Sequence, residues 1–236
     1  ETALLTPAPD QVEYEPVSYR AALLDGLREV VAQVDADRIE GISISSQGQT
    51  FVQLDAEDRP VRNMVVWLDN RAVAEAEELN QAFPDAEIVK RIRKPFNSLG
   101  SGPKWLWLAR HEPDLWEKTA KILMLPEYLG YLLTGRRRVD RENGGSSLCV
   151  DTRTETWWAE AVERCGARVE QLGQVVRPGA PIGPLLPEVA DACGIRSRPR
   201  VFAGANDQNV GALGVGNCRK GFTSGMVGTA IALITN

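Results

Sequence analysis

Val201-Phe202-Ala203-Gly204-Ala205-Asn206-Asp207-Gln208-Asn209-Val210-Gly211-Ala212-Leu213-Gly214-Val215-Gly216 reads as an apolar strand, a Gly-Ala-Asn turn and a helix. Asp207 falls in the first helical turn. In α/β folds, ligands gather where strands end and helices begin. The N-terminus of a helix favours an ionised carboxylate, so Asp207 is expected to be charged at neutral pH and able to accept a proton. Taken alone, it also reads as a helix cap, because Asp is a preferred capping residue. Gly211, Ala212 and Gly214 keep this helix slim, so another group can approach it closely.

Working outward, strands and helices interleave, which gives an α/β class. Val17, Ala21, Leu24, Leu27, Val30 and Val31 recur at helical spacing and predict a helix within 15–34. Strands are expected over 38–46, 50–54, 61–67 and 121–125. Helices are expected over 71–82, 103–110, 127–134 and 187–194. The stretches 83–102 and 140–151 read as irregular. Residues 221–235 read as strand–turn–strand.

The chain has 236 residues, a formal charge of −5 and 43% hydrophobic residues. This is ordinary globular composition. The mild acidity argues against a nucleic-acid partner, which needs clustered Lys and Arg. The basic runs at 90–94 and 136–138 read as solvated surface. No apolar run reaches the ~20 residues of a membrane helix. The four cysteines form no C-x-x-C pair. Their wide spacing points to free thiols in a reducing, cytoplasmic setting, and all four read as small buried hydrophobes. The single histidine, His111, stands at an expected helix end. Acid–base chemistry therefore falls to a carboxylate, and nothing indicates a protein-bound metal.

Three further elements carry polar chemistry. Ser45-Ser46-Gln47-Gly48-Gln49-Thr50 gathers amides and hydroxyls at a strand end, as polyol recognition requires; it also reads as a polar hairpin loop. Trp67-Leu68-Asp69-Asn70-Arg71 offers a ring on which a sugar can rest, or a core Trp followed by a capping Asp. Ser224-Gly225-Met226-Val227-Gly228-Thr229-Ala230 is a glycine-bearing turn between apolar strands. Gly228 and Thr229 there can present donors to phosphate oxygens, or form a simple hairpin turn. Neither G-x-x-x-x-G-K-[ST] nor G-x-G-x-x-G occurs, which disfavours a dinucleotide-dependent oxidoreductase.

Together these stretches resemble the FGGY family of carbohydrate kinases. The match runs in order through residues 41–49, 65–71, Pro103-Lys104-Trp105-Leu106-Trp107-Leu108, Leu125-Pro126-Glu127-Tyr128-Leu129, 203–208 and Val227-Gly228-Thr229. The resemblance implies an actin-like, ribonuclease-H-like fold, with a mixed sheet flanked by helices and ATP held between two lobes. It implies that Asp207 is the general base toward a sugar hydroxyl. It places Gln47, Gln49, Trp67, Asn97 and Gln208 at the sugar, and Gly228 and Thr229 at phosphate, with ATP and Mg²⁺ as cofactors. Residues 1–219 are then expected to form the sugar-binding N-terminal lobe without its first hairpin, and 220–236 to begin the C-terminal ATP-binding lobe.

Two features depart from the family pattern. No Asp-x-Gly-Thr phosphate motif is present, and the second lobe would lie beyond the Gly-Thr turn. The chain alone is therefore expected to phosphorylate poorly. Gln47-Gly48-Gln49-Thr50 matches neither the Gln-Met-His-Gly of xylulose kinases nor the Gln-Arg-Glu of glycerol kinases. The expected substrate is a ketopentose or related polyol. A non-catalytic sugar-binding or regulatory protein on the same fold is the alternative. A homodimer is among the assemblies the sequence allows.

Overall fold

The computed structural model describes residues 3–227 and 231–235. A four-stranded antiparallel sheet runs Glu13–Tyr14, Met64–Val65, Phe51–Leu54, Lys121–Met124 in spatial order. Strand side chains alternate between faces, and here both faces are covered. Phe51, Val65, Ile122 and Met124 meet Leu79, Ile88, Trp105 and Val162, which come from helices. Val52, Leu54, Met64 and Leu123 meet Leu125 and Tyr128 on the opposite side. Double burial explains why these strands are apolar at nearly every position instead of alternating. Among their polar members, Gln53 is buried and donates to Thr119 Oγ1 at 2.8 Å.

A second sheet has three strands, Pro181–Pro184, Arg200–Phe202 and Gly41–Ser43. Its first pair is antiparallel and its second parallel, so the architecture is mixed, as the resemblance implies. The helix Pro16–Val31 lays Leu24, Leu27 and Val31 on the core of this sheet, beside Val189 and Cys193 of the helix Pro187–Cys193 and Leu133 of the helix Leu125–Thr134.

The parallel pair positions the site. Beyond Phe202 and Ser43, the chains stay together through a bridge between Ser46 and Asn206. Gly204 permits this: a Cβ there would stand 1.8 Å from the Ile44 carbonyl oxygen. Only a residue without a side chain allows so close a backbone approach. The helix Asp207–Gly214 then starts beside the loop that follows Gly41–Ser43.

Several expectations are corrected. A helix, Asp85–Ile92, occupies the stretch read as irregular. Ile88 and Ile92, one turn apart, bury its inner face, while Pro84 and Pro95 on either side mask the pattern. A short helix, Arg141–Gly145, occupies part of the stretch read as a loop. Asp140 caps it by accepting from the Glu142 and Asn143 N–H groups. The strand expected over 61–67 shortens to Met64–Val65. Cys149, Cys165 and Cys193 are buried free thiols, but Cys218 is exposed. The hairpin of Thr223–Val227 with Ile231–Thr235 forms as expected. Gly228 and Thr229 lie outside the described residues.

Candidate functional site

A cavity of about 720 Å³ opens where the parallel strands end. Gln47, Gly48, Gln49, Trp67, Asp207 and Gln208 line it, together with Asn206, Leu99 and the hairpin residues Met226 and Val227. Among the described residues of this lining, Asp207 is the sole charged side chain.

Asp207 is exposed and forms the first residue of its helix. The helix cap is its neighbour: Asn206 accepts from the Gln208 N–H with its side chain at 3.1 Å. The Asp207 N–H donates to the Ser46 carbonyl at 2.9 Å, which fixes the carboxylate against the opposite loop. Its Oδ1 accepts from the Gln208 N–H at 2.8 Å, and Oδ2 has no partner among the described residues. The capping role thus falls to Asn206, and Asp207 keeps one carboxylate oxygen without a partner among the described residues.

The facing loop is held tightly. A Cβ on Gly48 would meet Asn206 Nδ2 at 3.0 Å and the Ser146 side chain at 3.4 Å, so the loop closes on both. Thr50 is buried and its hydroxyl accepts twice, from Gln47 Nε2 at 3.0 Å and from the Trp67 N–H at 3.1 Å. One side chain therefore holds the Gln47 side-chain amide and the Trp67 backbone, two residues that line the same cavity. The Gln49 and Gln208 side chains make no hydrogen bond among the described residues, which leaves their donors and acceptors for a ligand.

Trp67 is partly buried, and a buried ionic layer holds its backbone. Asp69 does not cap a helix. It accepts from the Val12 N–H at 2.7 Å and from Arg71 Nη2 at 2.8 Å, and Arg71 continues to Glu13 at 2.7 Å. Lys104 is fully buried and donates through Nζ to the Val66 carbonyl at 3.1 Å, directly before Trp67. Burial pushes its ammonium down to about 7, against the opposing pull of the Asp69 charge.

Asn97 does not join the lining. Its Oδ1 accepts from the Leu99 N–H at 3.2 Å, and Leu99 takes the place at the cavity. His111 ends its helix, exposed and stacked on Trp107 at 4.5 Å between ring centroids. Lys104, Ser101 and Ser146 support the site without a sequence signal for that role. Lys104 looks like any charged residue on a helix, and Ser146 sits in a Gly- and Ser-rich stretch that reads as a loop.

The sequence profile described as "FGGY family of carbohydrate kinases, N-terminal domain" matches residues 1–214. The chain belongs to the FGGY family of carbohydrate kinases. Among FGGY relatives, the chain is 28% identical over 228 residues to a xylulose kinase of Bacillus subtilis, covering 94% of this chain and 45% of that protein. It is 27% identical over 211 residues to an autoinducer-2 kinase of Salmonella typhimurium, covering 87% and 39%. The crystal structure of a xylulose kinase from Rhodospirillum rubrum superposes with a TM-score of 0.92 at 25% identity, over 98% of this chain and 48% of that one. The chain spans less than half the length of each of these relatives. Among the described residues, no helix is long and apolar enough to cross a membrane.

Proposed function

We propose that this chain is the sugar-binding lobe of an ATP-dependent kinase acting on a hydroxyl of a neutral polyol, with a ketopentose foremost. The observation that carries the reading is the cavity in which Asp207 is the sole charged side chain among the described lining residues. Amides, an indole and aliphatic groups surround it. Such a lining offers hydrogen bonds to hydroxyls and an apolar surface for a ring or chain. It offers no cation to an anionic sugar acid. The xylulose kinase relatives support the ketopentose.

In this reading Asp207 accepts the proton of the attacking hydroxyl. The oxygen forms a bond to the γ-phosphorus of ATP as the bond to the β-bridging oxygen breaks, and ADP leaves. Phosphoryl transfer depends mainly on positioning and charge neutralisation. Gln49, Trp67 and Gln208 would hold the polyol. Gln47, its Nε2 bonded to Thr50, would contribute its amide oxygen. Mg²⁺ would arrive on the phosphates of the nucleotide. Gly228 and Thr229 would contact phosphate, an assignment supported by sequence resemblance alone. The boundary between lobes would fall near 219–221, after the Asp207–Gly214 helix; Met226 and Val227 then reach back across it to the cavity.

The test is ATP consumption by the intact protein with D-xylulose, D-ribulose, glycerol and D-gluconate. Turnover is expected on a ketopentose and none on gluconate. Asp207→Ala is expected to leave sugar affinity within about tenfold and to cut turnover by ~10²–10⁴-fold. Wild-type turnover in that variant would remove Asp207 from the reaction. Sugar binding without turnover in the wild type would favour a non-catalytic binding protein.

A further inference from the structure

Gln49 is held in a conformation that glutamine seldom adopts. Its φ is +58°, in the left-handed region that side chains with a Cβ disfavour. The Thr50 N–H donates to the Gly48 carbonyl at 2.7 Å and closes a three-residue turn around it. Such backbone persists only where its surroundings over-determine it. Here two hydroxyls do so, from segments 52 and 97 residues away in sequence. Ser101 Oγ donates to the Gln49 carbonyl at 2.8 Å, and Ser146 Oγ accepts from the Gln49 N–H at 2.9 Å.

Neither hydroxyl is free to rotate away. Ser101 is completely buried in the first turn of the helix Ser101–His111. Ser146 Oγ donates in turn to the Asn143 carbonyl at 2.6 Å, which leaves its lone pairs for the Gln49 N–H. The two peptide groups of Gln49 are therefore clamped from opposite sides by different elements. A surface turn could satisfy the same groups with water. The clamp instead fixes where the Gln49 side chain leaves the backbone, and that side chain lines the cavity without an internal partner.

We propose that Ser101 and Ser146 are positioning residues for polyol recognition, acting through the left-handed backbone of Gln49. This rests on the polyol reading given above. In that reading the serines touch neither sugar nor nucleotide. They set the direction from which the Gln49 amide meets a substrate hydroxyl, so they govern sugar affinity and leave the transfer step alone.

The experiment measures steady-state kinetics of the intact protein with D-xylulose and MgATP, for wild type, Ser101→Ala, Ser146→Ala, Gln49→Ala and the double variant Ser146→Ala with Gln49→Ala. Each serine variant is expected to raise the KM for D-xylulose by about five- to tenfold, the worth of one hydrogen bond. Their kcat should stay within about threefold, and the KM for ATP should not move. In the Gln49→Ala background, Ser146→Ala should add less than about twofold, because its effect passes through a side chain already absent. Amide exchange at Gln49 should accelerate in Ser146→Ala, which confirms the lost contact without reference to sugar. Faster exchange with unchanged sugar KM overturns the proposal, as do effects that multiply in the double variant. If D-xylulose is not taken, the same series is run with D-ribulose and glycerol, and a wild type that neither binds nor phosphorylates any of the three removes the polyol reading itself, and the proposal with it.

Discussion

Replacing Glu127 with Gln should alter how stability depends on pH, by an amount the structure sets. Glu127 lies in the first turn of the helix Leu125–Thr134 and is fully buried. Its Oε2 accepts from the Met124 N–H at 3.3 Å, and its Oε1 has no hydrogen-bond partner among the described residues. Burial pushes its carboxyl up from 4.5 to about 8, because removing the charge from water outweighs the Met124 hydrogen bond and the more distant Arg137 charge. The folded state therefore keeps its proton where the unfolded chain has released it. Stability is fully present below pH 4.5 and is lost as the pH rises toward 8. One unit is worth about 1.4 kcal/mol, so between pH 5 and pH 9 wild type should lose about 4 kcal/mol through this group. The variant titrates nowhere in this range. Urea denaturation of both proteins at pH 5, 7 and 9 measures the gap between them, in which contributions common to both cancel. Any difference in packing between Gln and Glu adds an offset that does not vary with pH. A gap that changes by less than about 1 kcal/mol over this range would refute the burial argument.

Lys104→Met should act in the opposite sense. The folded-state ammonium titrates near 7 and the unfolded one near 10.5, so wild type gains stability as pH rises from 7, and its deficit against the variant should shrink by about 3 kcal/mol between pH 7 and 10, read by the same denaturation series. Thr50→Val leaves the Trp67 N–H and the Gln47 amide without their acceptor; a loss of about 1–3 kcal/mol in thermal or urea unfolding is expected. Gly204→Ala places a methyl group into the Ile44 carbonyl, and about 2–3 kcal/mol of destabilisation should follow. Wild-type stability of that variant would show that the paired strands part without cost.

Much of this fold was legible because its elements carry strong local patterns. The helix Pro16–Val31 shows its apolar stripe, and Phe51–Leu54 and Lys121–Met124 are short apolar runs bounded by polar turns. Asp85–Ile92 stayed hidden because prolines at 84 and 95 signal irregularity while only Ile88 and Ile92 mark the buried face. Arg141–Gly145 contains two glycines, so propensity argues against a helix that the Asp140 cap nevertheless starts. In the cavity, Gln47, Gln49, Trp67, Asp207 and Gln208 converge from segments read separately. Asn97 does not join them, since a shift of two residues in an irregular turn gives its place to Leu99. The supporting groups were invisible for a different reason. Ser101, Ser146 and Lys104 act through backbone atoms of residues far away in sequence, and no local pattern encodes such a contact.

The bridge between Ser46 and Asn206 has a mechanical consequence. It fastens the turn bearing Gln49 and the helix bearing Asp207 into one piece of backbone. Any rigid-body swing of this lobe must carry acceptor and recognition groups together, with their spacing unchanged. In the proposed kinase, motion could then vary only the approach of the phosphate donor, while the sugar side stays pre-aligned throughout the cycle.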